Sequence, residues 1–150
     1  MKKSLLLISS IVMGAAMTGC TTNNADTSAV AMQSTNEAVN LQSITGSVLY
    51  RERIALPDTA VISVTLEDVS LADKAAEVIA TDSFVTGGKQ VPFEFKLDYD
   101  ASKIVPNHRY NVRAKIAVDG KLRFTTDTFT PVITDANKTQ KVQLMMIGVR

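Results

Sequence analysis

The residues of this chain that could perform acid–base chemistry are few and scattered. His108 is the sole histidine, and it lies in a Pro-Asn-His-Arg stretch typical of a turn. Carboxylates come close together in sequence at Glu67-Asp68 and again at Asp98 and Asp100. Adjacent strand residues point to opposite faces, and carboxylates at turns usually cap backbone N–H groups, so neither pair predicts a general acid with its base. We therefore predict that the protein is not an enzyme, neither a hydrolase nor a carbohydrate-active one.

Metal and phosphate sites are not indicated either. Asp98, Asp100 and Ser102 copy the start of a calcium loop, but Lys103 occupies the sixth position, where glycine is expected, and no glutamate stands at the twelfth. No glycine-rich loop opens a helix, so no phosphate cradle is predicted. A net charge of +1 with 21% charged residues gives no large field that would attract nucleic acid. We predict no cofactor, no metal, no nucleic-acid partner and no small-molecule substrate.

The single cysteine, Cys20, ends a segment that has the features of an export signal. Lys2 and Lys3 make its start positive, a short apolar stretch follows, and Met17-Thr18-Gly19 precede the cysteine. This ending resembles the lipobox of bacterial lipoproteins, although Met17 stands where leucine is commonest. The resemblance implies cleavage after residue 19 and a lipid on the sulfur of Cys20. The alternative is an ordinary secretory signal with an incidental cysteine.

Cys20 is therefore the predicted lipid attachment site, and the membrane is a predicted partner through that anchor. Two or more acyl chains hold a protein firmly, at about 0.8 kcal/mol per buried CH₂. Thr21 follows the cysteine, instead of the aspartate that signals inner-membrane retention in this class. We therefore predict anchoring in the outer membrane with the domain facing the periplasm. Loss of Lys2 and Lys3 with residues 1–19 changes the formal net charge of +1 to −1.

Residues 20–42 are predicted to form a flexible tether. They are rich in Thr, Asn, Ala and Ser, and their few apolar residues follow no sustained period. Such a segment cannot bury enough apolar surface to offset its ordering entropy. As a coil of about 20 residues it would reach about 25 Å. A short helix over Ala25–Ala38 is the alternative.

Residues 43–150 form the predicted domain, because apolar and polar side chains alternate along most of it. Strands are predicted near residues 44–50, 61–67, 77–85, 91–99, 110–116, 122–128 and 142–148, with a helix over Leu71–Ala80 as a rival to the third strand. Asp119-Gly120 predicts a two-residue hairpin. Tyr110, following Pro106, is similar to the tyrosine corner of immunoglobulin-like sandwiches. We predict an all-β fold: a single antiparallel β-sandwich, immunoglobulin- or transthyretin-like, of about seven strands.

Two groups of residues are candidates for binding a partner. Arg51 and Arg53 share the outward parity of the first strand and could hold a partner's carboxylates, or they could form a solvated face paired with Glu67. Met145 and Ile147, with the methionine between them, make the last strand apolar on both parities. This pattern fits either an apolar edge for a partner segment or a strand covered on both faces. An exposed edge strand could also accept a partner by strand addition.

Four blocks of this region stand in a characteristic order: Tyr50–Pro57, Leu66–Asp73, Val91-Pro92-Phe93 and Phe124–Asp127. Together they resemble the YbaY/YscW-like lipoprotein family, and the resemblance covers about Ile44 to Arg150. Members named for type III secretion are pilotins, small β-sandwich lipoproteins that bind the secretin subunit and escort it to the outer membrane. Other members occur without a secretion system and have no known role.

The resemblance implies a non-catalytic binding or chaperone domain on an outer-membrane lipoprotein. Its implied partner is a secretin subunit or another envelope protein. The alternative is a general cell-envelope lipoprotein with a structural or stress-related role and no secretin partner. The shared blocks consist of strands and turns, so they predict the architecture and assign no partner-contacting residue.

Overall fold

The computed structural model describes residues 39–150, in which eight strands follow one another with short connections. They are β1 (Leu41–Tyr50), β2 (Val61–Asp68), β3 (Glu77–Val85), β4 (Phe93–Asp100), β5 (Tyr110–Val118), β6 (Lys121–Thr126), β7 (Pro131–Val132) and β8 (Lys141–Gly148). A short 3₁₀ helix, Ala101–Lys103, lies between β4 and β5. The predicted signal, Cys20 and most of the tether lie outside the described residues.

The strands form because each carries one apolar face, and β4 shows this most clearly. Phe93, Phe95, Leu97 and Tyr99 are buried, whereas the residues between them are exposed. Burial of one such side chain contributes about 1.5–3 kcal/mol. The inward faces of the other long strands meet this stripe in one continuous core.

All eight strands belong to one sheet, with the hydrogen-bonded order β3-β2-β5-β6-β8-β1-β4 and with β7 beside β5. Every neighbouring pair is antiparallel except β1 and β8, which run parallel from Thr45↔Lys141 to Tyr50↔Met146. The two outermost strands, β3 and β4, come close to each other without a hydrogen-bonded ladder. The sheet is therefore a nearly closed barrel with a seam between β3 and β4.

This architecture corrects the predicted antiparallel sandwich, although the all-β class is confirmed. One inward apolar face on each strand fits two facing sheets and one curled sheet equally well. The parallel contact of β1 with β8 joins what would otherwise be two sheets. At Gly46 this contact is very close, because a Cβ there would lie 2.0 Å from the carbonyl oxygen of Val142. Only glycine permits that approach.

Several local predictions are confirmed. The third strand forms at Glu77–Val85, and the rival helix over Leu71–Ala80 is wrong because this segment pairs with β2 after an irregular loop. Asp119 and Gly120 both take positive φ, as a tight hairpin between β5 and β6 requires. The buried hydroxyl of Tyr110 accepts a hydrogen bond of 2.9 Å from the N–H of Val105, which is the predicted tyrosine corner.

The return strand β6 differs from its prediction in two respects. It ends at Thr126 and does not include Thr128. Its register with β5 also shifts between Ile116↔Phe124 and Ala117↔Leu122. This bulge places Leu122 on the outward side with Ala117, so Leu122 is exposed while Phe124 is buried.

The barrel has two ends with different loops. The chain enters at residue 39, and this entry end also carries the loops 69–76, 101–109 and 127–140. The far end carries the loops 51–60, 86–92 and 119–120 and residues 149–150. Strand β1 runs from the entry end to the far end, and its ten residues span about 30 Å.

Candidate functional site

Arg51 and Arg53 lie in the far-end loop and not on β1, so their predicted position on the outer face of a strand is wrong. The ladder with β4 ends at Val48↔Phe93 because Pro92, which precedes Phe93, has no N–H to donate. Both arginine side chains are exposed. Neither takes part in an ion pair within residues 39–150.

The predicted alternative partner of these arginines, Glu67, lies instead beside another guanidinium. Its Oε2 is 3.8 Å from Nε of Arg113 on β5. The pairing of Arg51 and Arg53 with Glu67 is therefore wrong. Both guanidinium groups stay available to an outside carboxylate.

Tyr50 at the end of β1 holds the segment that carries the two arginines. The Tyr50 hydroxyl donates a hydrogen bond of 3.0 Å to the carbonyl of Ile54, and its ring stacks on Phe124 at 4.5 Å. Burial and the charge of Glu52 raise the pKa of Tyr50, so the hydroxyl remains a donor at neutral pH. The loop that holds Arg51 and Arg53 thus has a defined path.

Gln90 from the next far-end loop adds a second attachment. Its carboxamide oxygen accepts from the N–H of Leu56 at 3.0 Å, and its amide nitrogen donates to the carbonyl of Leu56 at 3.1 Å. Leu56 is buried in the core. The two far-end loops are therefore joined by a pair of side-chain-to-backbone hydrogen bonds.

Met145 and Ile147 lie on the outward face of β8, and 37% and 47% of their surfaces are exposed. Met146 between them is buried. The alternative in which β8 is covered on both faces is therefore wrong, because its outer face is open to solvent. Strand β8 is also not an edge, because it lies between β6 and β1. Met145 and Ile147 therefore form a small exposed apolar patch on a strand inside the sheet.

The structure brings the two predicted groups together. Leu49 of β1 lies directly beside Met145 in the parallel ladder. Arg51 follows Tyr50, whose partner in the ladder is Met146, the residue before Ile147. Glu52, one residue on, reaches Gly148, since a Cβ on Gly148 would lie 2.1 Å from its Oε1. We call Leu49, Met145 and Ile147 with Arg51 and Arg53 the Met145 patch.

A second apolar group at the far end was missed by sequence reasoning. Val85, Val61, Ala117 and Leu122 are successive register partners across β3, β2, β5 and β6. All four face outward, and the three large ones are 60%, 38% and 47% exposed in the order Val85, Val61 and Leu122. We call these four residues the apolar row.

A weak signal of the apolar row is present in the sequence. Val61-Ile62, Phe84-Val85 and Ala117-Val118 are adjacent apolar pairs at strand ends, where strict alternation would place a polar residue outside. Pairing of these ends into one row depends on the register of four strands. No local pattern contains that register.

At the entry end, Asp68 is the centre of a hydrogen-bonded network. Its Oδ1 accepts from the hydroxyl and the N–H of Ser70, at 2.5 and 2.9 Å, and its Oδ2 lies 2.5 Å from Nδ1 of His108. The hydroxyl of Ser70 accepts in turn from the N–H of Arg109. Burial acts to raise the pKa of Asp68, but the hydrogen bonds from Ser70 and His108 outweigh it and lower that pKa.

This network is not a nucleophile with its base. The serine proton points to the carboxylate, and the imidazole contacts the other oxygen of the same carboxylate, so His108 does not receive the serine proton. The network attaches the loop after β2 to the loop before β5. Its chemistry is that of a structural clamp.

A surface depression of about 360 Å³ lies between Pro106–Tyr110 and Phe129–Asp135 at the entry end. Within residues 39–150, no cluster of three histidine, cysteine or carboxylate side chains is placed to hold a metal ion. The described part of the chain has no helix long and apolar enough to cross a membrane.

Both edges of the sheet carry features that oppose strand addition. On β3, a register shift lies opposite Leu66 and Glu67, and Asp82 pairs with the inward-facing Val64. Strand β4 begins after Pro92 and exposes Glu94 and Lys96. Bulges, inward-pointing charges, edge prolines and edge lysines are the features by which natural sheets avoid pairing with other chains.

Comparison with known proteins identifies the relatives of this chain. The family model described as type III secretion system lipoprotein chaperone (YscW) matches residues 39–144. The uncharacterised lipoprotein YbaY of Escherichia coli K12 is 35% identical over 157 residues, which cover 99% of this chain and 80% of YbaY.

A solved structure is more similar in sequence. The alternative pilotin from the type II secretion system of Vibrio cholerae is 63% identical, with a TM-score of 0.72, over 73% of this chain and 98% of the pilotin. The chain therefore belongs to the YscW family of type III secretion system lipoprotein chaperones, which confirms the resemblance to the YbaY/YscW-like lipoproteins.

Proposed function

We propose that this pilotin-like lipoprotein is a secretin pilotin: an outer-membrane protein, anchored through lipid on Cys20, whose periplasmic domain binds a secretin subunit and assists its assembly. The observation that carries the proposal is the 63% identity to a type II secretion pilotin over 98% of that chain. The match favours a type II secretin as client over the type III system in the family description. The domain acts by binding and performs no catalysis.

The chemistry of the described residues supports this proposal. The carboxylate, imidazole and hydroxyl groups of Asp68, His108 and Ser70 are engaged with one another in a structural clamp. The far end presents exposed apolar side chains in register across four strands, together with Arg51 and Arg53, which form no ion pair within residues 39–150. Such a surface suits a protein partner better than a small molecule.

The proposal is tested in the cells that produce this protein. We expect that deletion of its gene removes the heat-resistant secretin multimers from outer-membrane fractions and leaves monomeric secretin in the inner membrane. Full-length protein expressed from a plasmid should restore the multimers. Cys20→Ala should leave the signal uncleaved or the protein detached from membranes, and it should fail to restore them.

The two halves of the proposal have separate controls. Unchanged secretin multimers after deletion would exclude the pilotin role and favour the general envelope lipoprotein without a secretin partner. Full restoration by Cys20→Ala would exclude the need for the lipid anchor while leaving secretin binding intact. Metabolic labelling with a radioactive fatty acid then reports directly whether Cys20 carries lipid.

A further inference from the structure

We propose that the apolar row and the basic side chains around it form the docking surface for an acidic amphipathic segment of the client protein. This inference rests on the proposed function, because it takes the client to be the secretin subunit. It goes beyond that function by assigning the surface and the chemistry of the bound segment. The sequence indicated partner carboxylates only at Arg51 and Arg53, and it did not predict the apolar row.

The apolar row has the dimensions of a short peptide site. Its four members lie on adjacent strands, and three inter-strand spacings of about 4.8 Å give it a length of about 14 Å. A helical segment of nine or ten residues has about the same length. Apolar side chains on one face of such a segment would cover Val85, Val61 and Leu122, which are exposed in this chain.

The side chains around the row are predominantly basic. Lys115 lies two residues before Ala117 on the same face, and Lys121 and Arg123 flank Leu122. Lys89 lines a depression of about 330 Å³ together with Val85. Four acidic side chains also lie nearby: Glu94 lines the same depression as Lys89, and Glu52, Asp58 and Asp119 lie in the far-end loops. With Arg51 and Arg53 counted, the basic side chains are six. The charge therefore favours a partner whose polar face carries carboxylates.

A second depression continues the surface toward the Met145 patch. It has a volume of about 270 Å³, and Lys115, Leu122 and Thr125 line it. Thr125 is the register partner of Lys115 on one side and of Ile147 on the other. The predicted binding residue Ile147 on β8 thus extends the same outward face by one strand, and Leu49 on β1 extends it by a second.

The position of the row suits a client in the periplasm. The chain enters the barrel at the end opposite the row, about 30 Å away along β1. The point at which the preceding chain joins the barrel therefore does not cover the row.

Site-specific photo-cross-linking in cells tests the surface. Benzoylphenylalanine replaces Val61 or Leu122 in the full-length lipoprotein, and it replaces Leu71 or Val78 at the entry end as controls of comparable or greater exposure. We expect a secretin cross-link from Val61 and Leu122, and at least a tenfold weaker one from Leu71 and Val78. Mass spectrometry of the product identifies the client segment, which should carry carboxylates between its apolar residues.

The outcomes separate the surface from the function. Secretin products from the entry-end positions alone would overturn the docking surface while the pilotin role stands. Products with a second copy of this chain, or with phospholipid, from Val61 and Leu122 would also overturn it. If secretin multimers persist after gene deletion and no position yields a secretin product, the proposed function fails and the inference fails with it.

Charge reversal tests the acidic character of the client. We expect the double variant Lys121→Glu, Arg123→Glu to lower the secretin recovered with the full-length protein by about tenfold. The matched control Lys74→Glu, Lys103→Glu places the same charge change at the entry end and should change recovery less than twofold. Equal losses in the two variants would exclude charge recognition at the row. An unchanged melting temperature shows that each variant is folded.

Discussion

The two ends of the barrel satisfy their loops in different ways. At the entry end, side chains cap and bridge the backbone: Asp68 binds Ser70 and His108, Asp100 accepts from the N–H of Ser102, and Asp135 accepts from Thr139. At the far end, fewer side-chain hydrogen bonds are made. Both ends expose large apolar side chains, Leu71 and Phe129 at the entry end and Val85 and Leu122 at the far end. The far end differs because its exposed apolar residues are register partners that form one row across four strands.

Two tyrosines make the comparison concrete, because each is buried and fixes a loop at one end. Tyr110 accepts a hydrogen bond from Val105 at the entry end, whereas Tyr50 donates one to Ile54 at the far end. Loss of the Tyr110 hydroxyl leaves the N–H of Val105 without a hydrogen-bond partner. Loss of the Tyr50 hydroxyl releases the segment that carries Arg51 and Arg53. The two substitutions should therefore have different consequences.

The largest loss of stability is expected at Gly46, where β1 and β8 approach most closely. Gly46→Ala places a methyl group 2.0 Å from the carbonyl oxygen of Val142, so β1 and β8 must separate. We expect a loss of about 3 kcal/mol in the free energy of unfolding. Urea denaturation measures it, with Ser47→Ala on the outward face of the same strand as the control. Equal midpoints for the two variants would contradict the close approach.

The entry end should respond next to loss of its buried tyrosine hydroxyl. Tyr110→Phe leaves the N–H of Val105 without its partner, which costs about 1–2 kcal/mol. Tyr99→Phe is the matched control, because that hydroxyl donates to the side chain of Gln42, which is exposed and can bind water instead. A denaturant midpoint that falls no further for Tyr110→Phe than for Tyr99→Phe would exclude the corner as a source of stability.

Acid should weaken the entry end through Asp68. Its pKa is lower in the folded chain than in the unfolded chain, so its contribution is complete above the unfolded pKa and is lost as the pH falls through the folded one. We expect Asp68→Asn to destabilise by about 1 kcal/mol at pH 7 and by progressively less below about pH 4. Urea midpoints measured from pH 7 to pH 3 test this.

Asp73→Asn in the same loop is the control for the acid effect. Asp73 is exposed and forms no hydrogen bond or ion pair within the described residues, so this change should not alter the midpoint at pH 7. The difference in urea midpoint between the wild type and Asp68→Asn should shrink as the pH falls. A difference that grows in acid would contradict a lowered pKa of Asp68 in the folded chain.

The smallest change in stability is expected at the far end. Tyr50→Phe removes the hydrogen bond to Ile54 and should cost about 0.5–1 kcal/mol, because the freed carbonyl can reach water. Its main effect should be local, with faster tryptic cleavage after Arg51 and Arg53 under native conditions. Tyr110→Phe serves as the reverse control, since it should leave cleavage at these two sites unchanged. Similar cleavage rates in both variants would refute the local role of Tyr50.

Sequence patterns were sufficient for the parts of the fold that depend on neighbouring residues. Alternation assigned the inward faces of β1, β2, β4 and β8, Asp119-Gly120 assigned the hairpin, and Pro106 with Tyr110 assigned the corner. Each of these features is encoded within about ten residues.

Features that depend on strand order could not be obtained in this way. The parallel contact of β1 with β8 joins residues almost 100 positions apart, and alternation is the same in a sandwich and in a barrel. Arg51 and Arg53 continue the alternation of β1 in the sequence. The strand nevertheless ends at Tyr50, because no neighbouring strand pairs with the chain beyond it. The apolar row could not be predicted either, because each strand contributes only one of its members and the row depends on how the four strands pair.

The place of β8 in the sheet has a consequence for how the protein is made. Strand β8 is the only hydrogen-bonded link between β6 and β1 in the described sheet, so residues 41–140 alone leave two separate groups of strands. During synthesis the barrel therefore cannot close until its last strand has left the ribosome. Until then, β6 and β1 each keep an unpaired edge that β8 will later cover.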